Sequence, residues 1–191
     1  MPPPAPDART ISVIYVDDEP ALLEIGKLFL EKTGEFIVAT AESAEEAILI
    51  LDTQPFDAII SDYQMPGMNG IAFLKHVRSA GDMTPFIIFT GKGREEVVIQ
   101  ALNEGADFYL QKGGDPKAQF AELSNKVRYA VTRKRGEEAL QESEAQKDAI
   151  LNGIGINISY VNSDLEILWA NRTAAASVNM EHDDIVGRRC Y

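Results

Sequence analysis

Five short apolar runs recur within the first 110 residues, and they are continuous rather than alternating with polar residues. The runs are ISVIYV (11–16), FIVA (36–39), DAIIS (57–61), PFIIFT (85–90) and DFYL (107–110). Continuous apolar runs of this length are typical of strands that are covered on both faces, as in a parallel sheet. The pattern therefore predicts five buried β-strands.

Segments with the spacing of an amphipathic helix lie between and after these runs. The first follows Pro20, which suits the first turn of a helix, and it places Leu22, Ile25 and Phe29 on one stripe. The others carry similar signals: a capping box at Ser43 and Glu46, a stripe at Ile71, Leu74 and Val77, a stripe from Val97 to Leu102 before Gly105, and a start at Asp115 and Pro116. Strict alternation of strand and helix predicts an α/β fold, a doubly wound parallel sheet with helices on both faces.

Polar side chains follow four of the five predicted strands. They are Asp17 and Asp18 after the first strand, Asp62 after the third, Thr90 at the end of the fourth, and Tyr109 and Lys112 at the fifth. In open α/β sheets the functional site lies in the crevice outside the carboxyl ends of the strands. We therefore expect these side chains to converge on one edge of the sheet.

Residues 1–115 carry 8 basic and 19 acidic side chains, which account for most of the net charge of −12 of the 191-residue chain. This balance disfavours nucleic-acid binding, which needs Lys and Arg to displace counterions. Neighbouring carboxylates repel by about 1–4 kcal/mol per pair at 4 Å and need a compensating cation. A nucleophilic carboxylate, a hard cation and hydrogen-bond donors are the requirements of phosphoryl transfer.

Four motifs extend this argument to a family: VDDE, ISDYQMPGMNG, IIFTGKG and FYLQK. In residue type, spacing and strand-end placement they resemble the receiver domain of two-component response regulators, over residues 11–130. The resemblance implies a flavodoxin-like sheet of order 2-1-3-4-5. It also implies a phosphorelay role, in which a sensor histidine kinase or a phosphotransfer protein is the partner.

The resemblance assigns chemistry to matching residues. Asp62 would be the phosphoacceptor, and Thr90 and Lys112 would hold phosphate oxygens. Thr90 and Tyr109 would form the switch that alters the face of the fourth helix, fifth strand and fifth helix. The implied cofactor is Mg²⁺, and its implied ligands are Asp17 through water, Asp18 and Asp62 through their side chains, and the backbone carbonyl of Gln64.

Departures from the family lie around the same site. Many receivers have proline after the lysine, often with a cis bond, whereas Gly113 and Gly114 follow Lys112 here. Gln64 and Lys92 occupy positions that tune dephosphorylation in the family. The chain is not expected to be an enzyme beyond its own phosphorylation. Two alternatives remain, an aspartate-nucleophile phosphohydrolase and an interaction module that acts without phosphorylation.

Residues 131–150 are predicted to form a helical linker. Leu140, Lys147 and Ile154 are spaced by seven, with Ile150 between them. This spacing indicates either a short coiled coil, and hence a homodimer, or a solvated charged helix, and both alternatives stay open. His76 has no second His, Cys or acid cluster at metal-ligand spacing and is interpreted as an ordinary histidine. His182 is followed by an acid, as a kinase phosphohistidine is, but its surroundings lack the long amphipathic helix of a dimerising phosphoacceptor, so that alternative is disfavoured.

Residues 151–191 resemble the N-terminal part of an α+β PAS sensory domain, with the turn NSDLEI, the helix entry WAN and the glycine of IVGR. No PAS ligand can be named from them. We expect the chain to be a fragment that ends at Tyr191 inside a longer signalling protein, such as a hybrid histidine kinase. The Pro-rich start, residues 1–10, is predicted to be a disordered leader. The single cysteine and the absence of a membrane-length apolar run predict a cytoplasmic location.

Overall fold

The computed structural model describes residues 10–91 and 95–190, which divide between Arg135 and Gly136 into two compact units. Several positions that the sequence analysis names lie outside the described residues. They are residues 1–9 of the expected leader, Lys92, the side chain of His182, and Tyr191.

The first unit alternates strands and helices in the predicted order. Its elements are β1 Ile11–Val16, α1 Pro20–Glu31, β2 Phe36–Ala41, α2 Ala44–Leu51, β3 Ala58–Ser61, α3 Gly70–Ser79, β4 Phe86–Thr90, α4 Glu95–Asn103, β5 Phe108–Gln111 and α5 Pro116–Gly153. Helix α5 extends past Arg135, so its last part belongs to the second unit. The five strands form one parallel sheet of order β2-β1-β3-β4-β5. The predicted fold class is therefore confirmed for this unit, because sheet type and strand order both agree.

Two hydrophobic clusters cover the two faces of this sheet. In β1, Val13 and Tyr15 point to a cluster that α1 and α5 complete, whereas Ile14 and Val16 point to a cluster that α2, α3 and α4 complete. Alternate residues of a strand face opposite sides of a sheet, so a strand with helices on both sides must be apolar throughout. This explains why the runs in the sequence are continuous.

The predicted apolar stripe of α1 is wrong by one residue. The buried positions of this helix are Leu23, Gly26 and Leu30, while Ile25 is 42% exposed. The cause is Gly26, which carries no hydrophobic side chain and is therefore invisible to a hydrophobicity pattern. It nevertheless faces the sheet, over the ring of Tyr15.

Ion pairs hold helix α5 against the edge of the sheet at which the strands begin. Three of its arginines pair with acids that precede β2, β3 and β5: Arg128 with Glu35, Arg135 with Asp57, and Arg133 with Asp107. The Arg128 pair is bidentate, with both N–O distances at 2.7 Å, a geometry that fixes orientation. These contacts leave the carboxyl ends of the strands open for the site.

The second unit contains an antiparallel hairpin of β6 Ser159–Val161 and β7 Ile167–Ala170, followed by the short helices α6 Arg172–Ser177 and α7 His182–Ile185. Asn171 is fully buried at the start of α6. Its side-chain oxygen accepts from the N–H groups of Ile158 and Ala174, and its amide donates to the carbonyl of Leu151 at 3.0 Å. One polar side chain thus joins the end of α5, the hairpin and α6.

Gly70 begins α3 directly behind the end of β3. A Cβ at this position would overlap the main-chain carbonyl oxygen of Asp62 and lie 3.1 Å from the hydroxyl oxygen of Ser61. Main chain cannot move aside as a flexible side chain can. A Cβ on Gly136, inside α5, would have no neighbouring atom within 4 Å.

We predict that Gly70→Ala destabilises the first unit by about 1–3 kcal/mol, because the added methyl forces a backbone shift. Gly136→Ala is the matched control, and it should stabilise α5 by about 0.5–1 kcal/mol because alanine is the better helix former. Urea unfolding followed by circular dichroism measures both. Equal midpoints for the two variants would contradict this account of Gly70.

Candidate functional site

The carboxyl ends of the strands bring together residues that the sequence analysis expects there. Asp17 is fully buried after β1, Asp62 is 6% exposed after β3, and Thr90 is 1% exposed at the end of β4. Lys112 follows β5 and reaches two of them with its ammonium group. Asp18 and Gln64 lie at the exposed side of the same edge.

Lys112 bridges the two buried carboxylates. Its Nζ lies 2.5 Å from Oδ2 of Asp17 and 2.7 Å from Oδ1 of Asp62. Its main-chain N–H donates to the carbonyl of Thr90 at 2.7 Å, and its ammonium lies 5.7 Å from the ring centroid of Phe89. The compensating cation that the acids require is therefore supplied within the chain itself.

Asp17 has further partners on both oxygens. Oδ1 accepts from the N–H of Glu19 at 3.1 Å, and Oδ2 accepts from the hydroxyl of Tyr15 at 3.1 Å in addition to Lys112. A carboxylate offers about four lone-pair positions, and three are used here. Burial, and after it the negative charge of Asp17, raise the pKa of Tyr15, so this hydroxyl stays a donor.

Tyr15 is a residue of the site that the sequence analysis missed. A signal was present, because one hydroxyl-bearing aromatic interrupts an otherwise aliphatic run two residues before the first acid. Its hydroxyl is fully buried with its ring, and buried tyrosine hydroxyls usually have a partner. Its contribution to the site is the bond to Asp17.

The loop after β3 turns its main chain toward Asp62. Oδ2 of Asp62 accepts from the N–H of Gln64 at 2.5 Å, and the N–H of Gly70 donates to the carbonyl of Tyr63 at 2.9 Å. Gly67 has a φ of +76°, which favours glycine at this turn. The Pro and Gly residues after Asp62 thus form a tight loop that leaves Oδ1 to face Lys112.

A cavity of about 580 Å³ opens over this edge of the sheet. Its polar lining includes Asp18, Asp62, Gln64, Thr90 and Lys112. Its apolar lining comes from α1, β4 and α5: Leu22, Ile25, Phe89 and Phe120. Asp62 is thus a nearly buried carboxylate that lines a cavity open to solvent.

The donor atoms at this cavity fit a hard divalent cation. Asp18 and Asp62 offer carboxylate oxygens and Gln64 offers carbonyl oxygens, and Mg²⁺ is usually held by one or two carboxylates together with water and phosphate oxygens. Among residues 10–91 and 95–190, no group of three or more acidic, His or Cys side chains is arranged to hold a metal. In this arrangement Lys112 lies between Asp17 and Asp62 and contacts both carboxylates.

Tyr109 lies on β5 and packs against the cluster of α2, α3 and α4. Its hydroxyl is buried and has no hydrogen-bond partner in the part of the chain that the structure describes. Burial raises the pKa of Tyr109, and the negative charge of Asp62 adds to this effect. Tyr109 therefore lies on the face of β5 that α2, α3 and α4 cover, and the charge of Asp62 contributes to its raised pKa.

The loop after Lys112 contains two consecutive glycines with positive φ angles. Gly113 and Gly114 have φ values of +149° and +81°, and the N–H of Gly113 donates to Oε1 of Gln119 at 2.8 Å. The peptide bonds of the described residues are all trans. The cis proline of many receivers is thus replaced by two glycines in a conformation that other residues rarely adopt.

Two other expectations concern features outside this cavity. His76 is exposed on α3, as an ordinary surface histidine is. Across the described residues, no helix has the length and apolar character that crossing a bilayer requires.

Comparison with known proteins gives a consistent result. Residues 13–124 match the family model described as the response regulator receiver domain. The chain is 32% identical over 163 residues to response regulator Rre1 of Synechocystis, covering 78% of this chain and 69% of that protein. It is 32% identical over 156 residues to the alkaline phosphatase synthesis transcriptional regulatory protein PhoP of Bacillus subtilis, covering 82% of this chain and 60% of that protein.

Solved structures agree with the fold of the first unit. The receiver domain of Francisella response regulator 1452 is 29% identical, with a TM-score of 0.60 over 65% of this chain and 99% of that chain. A CheY-like response regulator receiver domain protein from Methanospirillum hungatei is 26% identical, with a TM-score of 0.58 over 65% of this chain and 98% of that chain. The similarity therefore covers the unit that contains the cavity.

We predict that Lys112→Met destabilises the first unit by about 2–4 kcal/mol, because Asp17 and Asp62 would stay buried without their cation. Lys75→Met is the matched control. Lys75 forms a half-exposed pair with Glu104 at 2.8 Å, and losing it should change stability by less than about 0.5 kcal/mol. Urea unfolding without added metal compares them, and equal losses would contradict the role given to Lys112.

Proposed function

The chain belongs to the response regulator receiver family, and on that premise we propose that Asp62 is its phosphoacceptor in a two-component phosphorelay. One observation carries the proposal most directly. Asp62 is buried beside Lys112, with a 2.7 Å contact, yet it lines a cavity that opens to solvent next to Thr90. An accessible carboxylate held by a fixed cation suits nucleophilic attack on phosphorus.

The proposed step uses phosphohistidine of a sensor histidine kinase or of a phosphotransfer protein as the donor. A carboxylate oxygen of Asp62 forms the new P–O bond, while the P–N bond breaks and its electron pair stays on the imidazole. Lys112 and Thr90 donate to the phosphoryl oxygens. Asp18, Asp62 and the carbonyl of Gln64 would hold Mg²⁺, with Asp17 acting through water, and the bound metal would neutralise charge on those oxygens.

The proposed response is a shift between two packings of the same fold. Thr90 and Tyr109 form the switch, and the face built by α4, β5 and α5 is its output. The buried hydroxyl of Tyr109 supports this part of the proposal. Burying a hydroxyl without a partner costs about 1–3 kcal/mol, a cost that an outward position of Tyr109 would remove.

The second unit is proposed to be the N-terminal part of a PAS domain that receives the signal through α5. The support is local: an antiparallel hairpin is followed by a helix that Asn171 caps. Leu140 and Ile150 are 60% and 57% exposed on α5, which suits a homodimer seam but equally suits a solvated linker. A cytoplasmic location, and membership in a longer protein such as a hybrid histidine kinase, belong to the same proposal.

The relatives are response regulators, which act as switches rather than enzymes. The phosphohydrolase alternative calls for a second acid two residues after the nucleophile, and Gln64 occupies that position. The other alternative, an interaction module that acts without phosphorylation, calls for no reaction at Asp62. A phosphorylation experiment therefore separates the proposal from the interaction module, whereas Gln64 in place of a second acid argues against the phosphohydrolase.

We predict that acetyl phosphate with Mg²⁺ adds one phosphoryl group to the wild-type chain and none to Asp62→Asn, because the amide is a poor nucleophile. Intact-mass spectrometry measures the adduct. Asp52→Asn changes an exposed acid at the end of α2 and is the control, which should be labelled as the wild type is. Equal labelling of Asp62→Asn, or an unlabelled wild type, would contradict the proposal.

A further inference from the structure

Tyr15 occupies a position that requires a specific accommodation in α1. Its ring is fully buried under the middle of this helix, 6.4 Å from the centroid of Phe89. A Cβ on Gly26 would overlap Cε1 of Tyr15 and would lie 3.0 Å from Cδ1 of the same ring. Glycine is unfavourable inside a helix, and the φ of Gly26 does not require it. The same Cβ would lie 3.2 Å from Cε1 of Phe120, so the ring of Tyr15 gives the main reason for Gly26 and the ring of Phe120 a lesser one.

The hydroxyl of Tyr15 is the first member of a chain of polar contacts. It donates to Oδ2 of Asp17 at 3.1 Å, and the ammonium of Lys112 reaches the same oxygen at 2.5 Å. Lys112 in turn lies 2.7 Å from Oδ1 of Asp62. The phenol, the first acid, the lysine and the proposed nucleophile are thus connected without a gap.

We propose that Tyr15 is a positioning residue for phosphoryl transfer, with Gly26 as the notch that admits it. The hydroxyl fixes the rotation of the Asp17 carboxylate, and this carboxylate fixes the ammonium of Lys112 beside Asp62. Tyr15 itself contacts no reacting atom. The inference rests on the proposed function, because it assigns Tyr15 to the site at which Asp62 is phosphorylated.

The removal of one hydroxyl tests this chain of contacts while the ring stays in place. In Tyr15→Phe, Asp17 keeps Lys112 and the N–H of Glu19 but loses one of the bonds that restrict its rotation. We expect the rate constant for phosphorylation by acetyl phosphate to fall about 3- to 10-fold, the size of one hydrogen bond. The final fraction labelled should stay at the wild-type level, because the site still forms.

The split between rate and final labelling distinguishes positioning from a structural role. A purely structural role lowers the fraction of folded, reactive protein and leaves its rate constant unchanged. Tyr129→Phe is the matched control, because Tyr129 is 61% exposed on α5, and it should react as the wild type does. A second readout needs no metal. Acetic anhydride should modify Lys112 faster in Tyr15→Phe, while Lys75, an internal reference, should react equally in both proteins.

Gly26→Ala tests the notch independently, since the added methyl must displace the ring of Tyr15. It should slow phosphorylation as Tyr15→Phe does, and adding Gly26→Ala to Tyr15→Val should cause no further loss of rate. An unlabelled wild type would overturn the proposed function and this inference together. A labelled wild type with equal rate constants for wild type and Tyr15→Phe would overturn the role of Tyr15 alone, and so would a loss confined to the labelled fraction.

Discussion

The ammonium of Lys112 between two buried carboxylates is the contact on which the first unit depends. Asp17 and Asp62 have almost no access to water, and each lies within hydrogen-bond distance of the ammonium of Lys112. Burial of a charged side chain is costly unless the charge is paired in this way. Sheet order makes the contact possible, because β1 and β3 are neighbours and β5 lies two strands beyond β3. The apolar clusters on both faces hold those strand ends in register, so the core is what keeps the charges together.

The same contact has a part in the proposed reaction. The ammonium of Lys112 offsets part of the negative charge of Asp17 and Asp62. In the proposed reaction, the phosphoryl group brings new negative charge to Asp62, and the ammonium is already within reach of it. Tyr15 and the N–H of Glu19 hold Asp17 from the other side, so the lysine starts from one defined position.

The sequence predicts the sheet and its reactive edge well, because both follow from strong local signals. Continuous apolar runs identify buried strands, and Asp62, Thr90 and Lys112 stand at strand ends where topology must bring them together. Two features could not be predicted from the sequence, for physical reasons. Gly26 faces the core without being apolar, and the hydroxyl of Tyr15 reaches Asp17 from within an apolar run, a contact that depends on side-chain rotation. The second unit offers only one hairpin and short helices, so its family cannot be argued from packing.

The location of the phosphoryl group is the most direct test of this account. Borohydride reduces an aspartyl phosphate to homoserine, so peptide mapping of the reduced, phosphorylated chain identifies the acceptor residue. Homoserine is expected at position 62, and aspartate should be retained at positions 17 and 18. Homoserine at either of those positions, or phosphate retained after reduction on a residue other than Asp62, would contradict it.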